Sequence, residues 1–378
     1  MIQLAITICL KKAIYTMKLH LLLIGNKFIY NLPLREYIIR KIEQKTDFID
    51  SITFFKESDN SLFLHLEKEL HTSNRYIIVT SKHHFSTIGK LICTVTSDNQ
   101  ILKDDMLIPS NSAVFEDGSY LLEYKNSLTN VLHVDEMQRL PEILLDFEES
   151  SATLHLFEEE KDSALAMLSP IAQMYDLKVE AVNLIDGWLR VEVRSKKYGN
   201  ISKFIASAKQ LLPNKIIAAT NIVTYIIEKL SSKSKKIAFA ESCTGGLLSY
   251  YFTQNNGASK IFDGSLVTYA NKIKENWLGV NFKTLEEYGA VSSEVVLEMS
   301  EGVLSVSNAD YSISISGVAG EGGGTKYKPV GTIYVSIRSK TKHIQNRLNL
   351  NGDRNYIQHQ SVLFAIKMLL LMDKEIFF

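Results

Sequence analysis

One stretch determines how the C-terminal part of the chain folds, and it reads Ile237-Ala-Phe-Ala-Glu-Ser-Cys-Thr-Gly-Gly-Leu-Leu-Ser-Tyr250. A short apolar opening, a polar turn with two glycines and an apolar-rich continuation predict a strand that leads directly into a helix. Ser242 and Thr244 lie in the turn, beside helical amide groups that have no intrahelical partner. Gly245 and Gly246 allow another molecule close to that backbone. Such a turn suits a phosphate or a developing oxyanion, although a lone motif of this kind more often only caps its helix.

The composition is that of a globular protein without an electrostatic preference. The 378 residues suffice for two or three domains. Lys plus Arg equals Asp plus Glu, at 42 each, so the basic surplus that binds nucleic acid is missing. Cys9, Cys93 and Cys243 lie far apart with no CxxC motif, which argues against a disulfide framework or a zinc site and for a reducing cytoplasm. We expect no cofactor, and no membrane span because no run of about 18 apolar residues occurs.

The first residues resemble a signal peptide only in length. Residues 1–16 carry an apolar run, but their positive charges follow it and no small-residue cleavage site appears. The apolar residues after Lys18 read as a first buried strand. We therefore predict that Met17 is the true start.

Residues 17–147 alternate between strand-like and helix-like segments, which predicts a parallel sheet wrapped by helices. We predict strands at Leu19–Ile24, Ser51–Phe55 and Tyr76–Thr80 and helices at Leu34–Glu43 and Asn60–Leu70. His83 and His84 follow the third strand. Because adjacent residues on an extended segment point apart, we interpret them as a solvated loop and not as metal ligands.

Two further units follow. Residues 152–219 predict a small α/β layer of KH-like topology, and the absence of a GxxG loop argues against RNA binding. Residues 220–378 contain the strand–turn–helix above and a second stretch, Tyr311–Thr325, in which an alternating strand runs into five glycines within eight residues. The predicted fold class is therefore α/β, with parallel or mixed sheets in the first and last of three units.

A lysine is the best available base for Ser242. A strand ending near Tyr269 is followed by a polar turn with Asn271, Lys272 and Lys274. In a partly dry cleft the protonated form of a lysine is disfavoured, and neutral lysine can take the proton of a serine hydroxyl. No histidine falls in these turns. Ser242 with Lys274, directly or through Tyr269, is the predicted nucleophile–base pair, while Cys243 is a rival nucleophile that we expect to point into the core.

These elements resemble the C-terminal domain of the competence/damage-inducible protein CinA family, which also occurs alone as the nicotinamide-nucleotide amidase PncC. The resemblance covers residues 237–354, at matching order and spacing. It is carried by Ala240-Glu-Ser-Cys-Thr-Gly-Gly246, Val267-Thr-Tyr-Ala-Asn271 with Lys274, Leu278-Gly-Val280, Tyr288-Gly-Ala-Val-Ser292, Ile315-Ser-Gly-Val-Ala-Gly320, Gly322-Gly-Gly-Thr325, Lys328-Pro-Val-Gly-Thr332 and Gly352-Asp-Arg354.

The resemblance implies hydrolysis of nicotinamide mononucleotide to nicotinate mononucleotide and ammonia. It implies that Ser242 is the nucleophile, that Tyr269 and Lys274 activate it, and that Ser316 and Arg354 are further active-site positions. We expect Arg354 and the backbone of the two glycine turns to hold the phosphate and the oxyanion. The predicted substrate-binding residues are Thr244, Gly245, Gly246, Asn271, Ser316, Gly317, Gly320, Gly322, Gly323, Thr325 and Arg354. Glu321 stands where the family usually has proline, and its carboxylate would oppose a phosphate.

The first unit resembles the molybdopterin-binding-like domain of full-length CinA proteins more weakly, through segments 22–29, 76–86 and 106–109. Asn26 and Lys27 replace two carboxylates, and Ser81-Lys-His-His84 replaces a glycine loop. We therefore predict that ADP-ribose pyrophosphatase activity is absent. Full-length relatives form dimers, which implies a homodimer here.

Two other functions compete with the amidase. A nucleotide-binding protein without turnover would fit Glu321 and the altered first unit, but binding alone requires no Ser242, Tyr269 and Lys274. Nucleic-acid binding, which the competence label suggests, conflicts with the balanced charge.

Overall fold

The computed structural model describes residues 17–46, 48–136, 138–145, 151–195 and 199–378. The expectations about residues 1–16, including Cys9, lie outside these residues. The described chain forms two compact units. One holds the residues up to Ser151 together with Ser195, and the other holds Ala152–Arg194 and residues 199–378. Both combine helices with sheets, so the predicted α/β class is confirmed.

The first unit is built on a six-stranded sheet with the order β2-β1-β3-β8-β7-β6. Strands β2, β1, β3 and β8 are parallel, whereas β7 and β6 add antiparallel neighbours, and β4 pairs with β5 separately. Its elements are β1 (Leu19–Ile24), α1 (Asn26–Tyr30), α2 (Leu32–Thr46), β2 (Ser51–Phe55), α3 (Leu62–Glu69), β3 (Arg75–Ser81), α4 (Lys82–Thr96), β4 (Gln100–Lys103), β5 (Met106–Pro109), β6 (Ser112–Glu116), β7 (Ser119–Tyr124) and β8 (Ser127–Val134).

The central strands of this unit read as continuous apolar runs because both faces of the sheet are buried. Leu22 and Ile78 pack into one core, and Leu21 and Ile77 pack into the other. The predicted loop at His83 and His84 is wrong, because both residues lie in the first turn of α4. The apolar face of the following residues, with Phe85, Ile88 and Ile92 buried, starts the helix directly after the strand.

The second unit begins with a four-stranded sheet of order β10-β11-β9-β12. Its elements are β9 (Ser151–Phe157), α5 (Lys161–Met174), β10 (Leu177–Ile185), β11 (Trp188–Ser195), α6 (Ile201–Leu211) and β12 (Ile216–Ala218). Strand β10 is absent from the sequence interpretation because only its ends, Leu177 and Ile185, are buried. An exposed edge strand carries little of the apolar alternation that marks a strand.

The same unit continues with a five-stranded sheet of order β14-β13-β15-β16-β17. Strand β13 lies parallel to both β14 and β15, and β16 and β17 follow antiparallel. The elements are α7 (Ile222–Ser232), β13 (Ile237–Glu241), α8 (Leu247–Thr253), a 3-10 turn (Ala258–Lys260), β14 (Phe262–Val267), α9 (Asn271–Leu278), α10 (Phe282–Tyr288), α11 (Ser293–Ser307), β15 (Tyr311–Gly317), β16 (Thr332–Ser339), β17 (His343–Asn349), α12 (Arg354–Met372) and α13 (Lys374–Phe377).

The two sheets of the second unit share one core. Trp188 of β11 and Phe157 of β9 are fully buried in the cluster that also contains Phe239, Ile366 and Phe377. The boundary that the sequence suggests near residue 219 therefore lies inside a single compact unit. Among the described residues, no helix combines the length and the apolar character needed to cross a bilayer.

Candidate active site

The first feature of the site is the turn that joins β13 to α8. The N–H of Ser242 donates to the carbonyl of Ile315 at 2.9 Å, which brings the turn to the end of β15. Gly245 and Gly246 have φ angles of 59° and 99°. A Cβ on Gly245 would meet no heavy atom within 4 Å, so the backbone conformation and not crowding requires glycine there.

Lys274 lies on α9 with its ammonium directed into this turn. Its side chain is only 1% exposed. Nζ lies 3.1 Å from Ser242 Oγ and donates to the carbonyl groups of Thr268 at 2.7 Å and Tyr269 at 3.1 Å. The lysine therefore contacts the serine directly, without the relay through Tyr269 that the sequence leaves open. The Tyr269 side chain is 63% exposed, and its described contact with Lys274 is made by the backbone carbonyl.

Burial lowers the pKa of Lys274 to about 8. The smaller influence on this pKa comes from the Cys243 thiol, whose own pKa is raised to about 12 by burial. At pH 7 a lysine with a pKa of about 8 is neutral in about a tenth of the molecules, enough to accept a proton from a neighbouring hydroxyl. Cys243 is 5% exposed and packs in the core, as predicted, and its thiol is protonated at neutral pH.

A second loop approaches the turn from the end of β15. A Cβ on Gly320 would lie 2.5 Å from Nε of Arg354, so this glycine allows the guanidinium to lie against the loop backbone. Gln358, four residues after Arg354 on α12, donates to the carbonyl of Cys243 at 2.7 Å. Residues four apart share a helix face, which places Arg354 on the side of α12 that faces the serine turn. Arg354 forms no hydrogen bond or ion pair with any residue of the described ranges.

Comparison with known proteins agrees with these elements. Residues 219–372 match the family model of the CinA C-terminal domain. This match assigns residues 219–372 to the CinA C-terminal domain family. A CinA-like protein of Thermotoga sp. (strain RQ2) is 45% identical over 144 residues, 38% of this chain and 35% of the relative. One of Prochlorococcus marinus (strain MIT 9215) is 36% identical over 205 residues, 51% of this chain and 48% of the relative. The chain thus spans less than half the length of both relatives.

A solved structure of the family also matches. The competence/damage inducible protein CihA from Agrobacterium tumefaciens is 32% identical, with 40% of this chain and 93% of that chain covered and a TM-score of 0.40. Below, residues 219–372 are called the CinA domain.

The helix terminus in the CinA domain differs from the sequence interpretation. The sequence suggests that the first amides of α8 are open to a ligand. Instead, the carboxylate of Glu241 accepts hydrogen bonds from the N–H of Gly246 and from the hydroxyl of Thr244. These two predicted substrate-binding groups therefore hold a protein carboxylate.

Ser316 and Gly317 shape the second loop from within the CinA domain. The Ser316 hydroxyl is 1% exposed and donates to the carbonyl of Ala290 at 2.7 Å. A Cβ on Gly317 would lie 2.3 Å from the Ile333 side chain and 2.7 Å from the Thr332 carbonyl, so only glycine fits beside β16. Both residues hold the base of the loop in place.

The remaining predicted substrate-binding residues lie on the surface. They are Asn271, Gly322, Gly323 and Thr325, all exposed. Glu321 is exposed beside them, and the Thr325 hydroxyl accepts from the N–H of Lys328. In the described ranges no side chain of these residues is hydrogen-bonded to Ser242 or Lys274, and no group of three or more His, Cys, Asp or Glu side chains is arranged to hold a metal.

Two residues near Ser242 are not predicted as site residues from the sequence. Glu241 is part of the quoted motif, but a charged residue at a strand end reads as solvent-exposed until its 0% exposure is known. Gln358 lies 115 residues from the carbonyl that it binds. The only sequence signal for Glu241 is its place directly before the turn that leads into a helix. An acidic side chain there can accept hydrogen bonds from the free amides of the first helical turn.

Proposed function

We propose that the CinA domain of this chain is a nicotinamide-nucleotide amidase that hydrolyses the carboxamide of nicotinamide mononucleotide to nicotinate mononucleotide and ammonia. The observation that carries the proposal is the 3.1 Å contact between Lys274 Nζ and Ser242 Oγ, with the lysine buried and its pKa lowered to about 8. A buried lysine beside a serine hydroxyl is the arrangement of a serine nucleophile with a lysine base.

In the first half-reaction, neutral Lys274 takes the proton of the Ser242 hydroxyl while Oγ attacks the carboxamide carbon. The resulting tetrahedral oxyanion needs donors. The N–H groups of Cys243 and Thr244 are the candidates in the serine turn, because those of Ser242, Gly245 and Gly246 already donate to protein oxygens. The Lys274 ammonium then gives its proton to the departing nitrogen, so ammonia leaves and an acyl-serine ester remains. Lys274 is neutral again at the end of this step.

In the second half-reaction, water attacks the ester carbonyl. Lys274 accepts the proton of the water and returns it to Ser242 Oγ as the ester bond breaks. The products are a carboxylic acid and the regenerated serine. The three Lys274 contacts, to Ser242 and to two backbone carbonyls, hold Nζ at one position for both half-reactions.

The phosphate of the substrate is assigned to Arg354. Its guanidinium lies against Gly320 without a described anionic partner, and planar guanidinium groups bind phosphate through paired hydrogen bonds. Gln358 connects the same helix face to the nucleophile turn. Through Gln358, the turn that carries Ser242 is hydrogen-bonded to the same helix, α12, that carries Arg354.

The direct test is ammonia release from nicotinamide mononucleotide by the purified protein and by Ser242→Ala. Loss of a nucleophile lowers kcat by roughly 10³-fold or more, and we expect the substitution to leave the thermal unfolding temperature nearly unchanged. A variant that retained more than about a tenth of the wild-type rate would exclude Ser242 as the nucleophile.

The base is tested by the pH profile of Lys274→Ala against Lys272→Ala. The wild-type kcat should rise between pH 7 and pH 9 as Lys274, with its pKa of about 8, loses its proton. Lys274→Ala should lose activity at all pH values. Lys272 is exposed, so its substitution is the matched control and should leave the profile unchanged. Equal profiles for both variants would remove Lys274 from the mechanism.

The rival function is nucleotide binding without turnover. It predicts that nicotinamide mononucleotide binds while no ammonia is released by wild type or by Ser242→Ala. A calorimetric titration beside the ammonia assay separates the two functions.

A further inference from the structure

Glu241 is a fully buried carboxylate whose side chain is 0% exposed. It accepts six hydrogen bonds with lengths between 2.5 and 3.3 Å. The donors are the hydroxyl groups of Thr244, Ser249 and Ser265 and the backbone N–H groups of Gly246, Leu248 and Ser249. All are electrically neutral, and no Lys, Arg or His among the described residues pairs with this carboxylate. A buried charge is tolerated only with such complete hydrogen bonding.

The pleat of β13 separates this carboxylate from the lysine. Ile237 and Phe239 pack in the core that contains α8, whereas Ala238 and Ala240 pack in the core that contains Leu278 of α9. Because side chains alternate across a strand, Glu241 continues the α8 face. Ser242, one residue later, meets Lys274 of α9. The two buried ionisable groups thus lie on opposite sides of the strand end.

We propose that Glu241 is a positioning residue for the Ser242–Lys274 pair. By fastening the start of α8 to the end of β13, its carboxylate holds the turn in which Ser242 Oγ faces Lys274. The same donors occupy the carboxylate oxygens with hydrogen bonds, so that it does not form an ion pair with the lysine. This inference rests on the proposed amidase function for its catalytic meaning, but the state of Lys274 can be measured without activity.

The charged groups around Ser242 and Lys274 are consistent with a positioning role for Glu241. The titratable group that faces Lys274 is the Cys243 thiol of the turn. Glu241 from β13 and Arg354 from α12 both act on that thiol, in opposite directions. From α11, Glu298 is bound to Asn281 and Thr284, and Glu294 to Ser293. No carboxylate of the described chain forms an ion pair with Lys274.

The test is the pKa of Lys274 in Glu241→Gln, measured by NMR titration of labelled lysine side chains in the full chain. Glutamine has the same length but only one acceptor oxygen, and its amide N–H groups would face the amides of α8. We expect the turn to loosen and water to reach Lys274, so its pKa should rise from about 8 toward the free value of about 10.4. The kcat at pH 7.5 should fall by roughly 10²-fold, because the reacting groups are displaced.

Two outcomes would overturn the proposal. An unchanged Lys274 pKa would mean that Glu241 only contributes to stability. A lowered pKa would mean that its charge supports the ammonium directly. If wild type releases no ammonia while the pKa rises in Glu241→Gln, the amidase proposal fails and the positioning role stands.

A milder variant keeps the test usable if Glu241→Gln does not fold. Ser249→Ala removes the 2.5 Å hydroxyl donor and leaves the carboxylate in place, so a smaller rise in the Lys274 pKa is expected. Thr253→Ala is the matched control on the same helix, because its hydroxyl donates to the Ser249 carbonyl and does not contact Glu241. A rise in the control as large as in Ser249→Ala would contradict the proposal.

Discussion

At the scale of single residues, the unusual feature is an amine that is buried without a carboxylate partner. The Lys274 ammonium replaces its water shell with three neutral oxygens. Isolated charges in protein interiors are costly, and the pKa of the group shifts toward the neutral form in response. The burial that lowers the pKa of Lys274 therefore also destabilises the folded state.

This destabilisation should appear in the pH dependence of stability. The pKa of Lys274 is about 8 in the folded protein against a reference value of 10.5, so between these pH values the unfolded chain binds more protons and stability rises with pH. Below pH 8 the full cost, about 3 kcal/mol, is present. Lys274→Met removes this cost, so at pH 7 its free energy of unfolding should exceed that of wild type. This difference should decrease by about 3 kcal/mol between pH 7 and pH 10.5, as measured by urea unfolding. A constant difference would show that the lysine is not desolvated.

At the scale of elements, the position of α9 depends on its contact with α11. Gly302 of α11 lies against the carbonyl at the end of α9, where a Cβ would come within 2.0 Å of Leu278 O. Helix α9, which carries Lys274, therefore packs against α11 at a glycine, where α11 has no side chain. Because the two helices are packed this closely, a side chain added to α11 at this position would displace α9.

Gly302→Ala should consequently destabilise the protein and lower its activity. Alanine gains about 1 kcal/mol of helix propensity over glycine, but overpacking costs about 1–3 kcal/mol and pushes α9 away from Ser242. Ser305→Ala, at an exposed position of the same helix, is the control and should be neutral or slightly stabilising. Thermal unfolding and the ammonia assay measure the two effects. A stabilised, fully active Gly302→Ala would show that α9 is free to shift.

At the scale of the whole molecule, the second unit joins two sheets through one core. Phe377 near the C-terminus is fully buried, and Lys374 pairs at 2.7 Å with Glu158, the residue that follows β9. Lys367 of α12 donates to the carbonyl of Asp186 at 2.6 Å. In the first unit, Lys27 and Ser81 at two strand ends form contacts with neighbouring residues of the same unit.

The first unit should not hydrolyse ADP-ribose. Lys27 donates to the carbonyl of Val134 and pairs with Glu136 at 3.3 Å, and Ser81 bonds to His84 at 2.8 Å. A metal-dependent pyrophosphatase needs oxygen ligands at such a place. Full-length Ser242→Ala, incubated with ADP-ribose and Mg²⁺ or Mn²⁺, should release no AMP. Metal-dependent AMP release that disappears in Lys27→Ala would establish a working site there.

Local sequence patterns predict those parts of the protein that depend on a few neighbouring residues. Strands Leu19–Ile24 and Ser51–Phe55 are found where predicted, because alternation and apolar runs reflect burial within a few residues. The position of Ser242 at a strand–helix turn is equally local, and Lys274 could be named from its chemistry.

Which groups face one another is visible only in the folded chain. The side of β13 on which Glu241 lies, the contact of Gln358 with the Cys243 carbonyl and the close approach at Gly302 all depend on distant segments. A sequence records that a glutamate precedes a helix, but not that its carboxylate is buried and fully hydrogen-bonded. That follows from packing, because the environment that fixes a charge comes from elements that meet only in the folded chain.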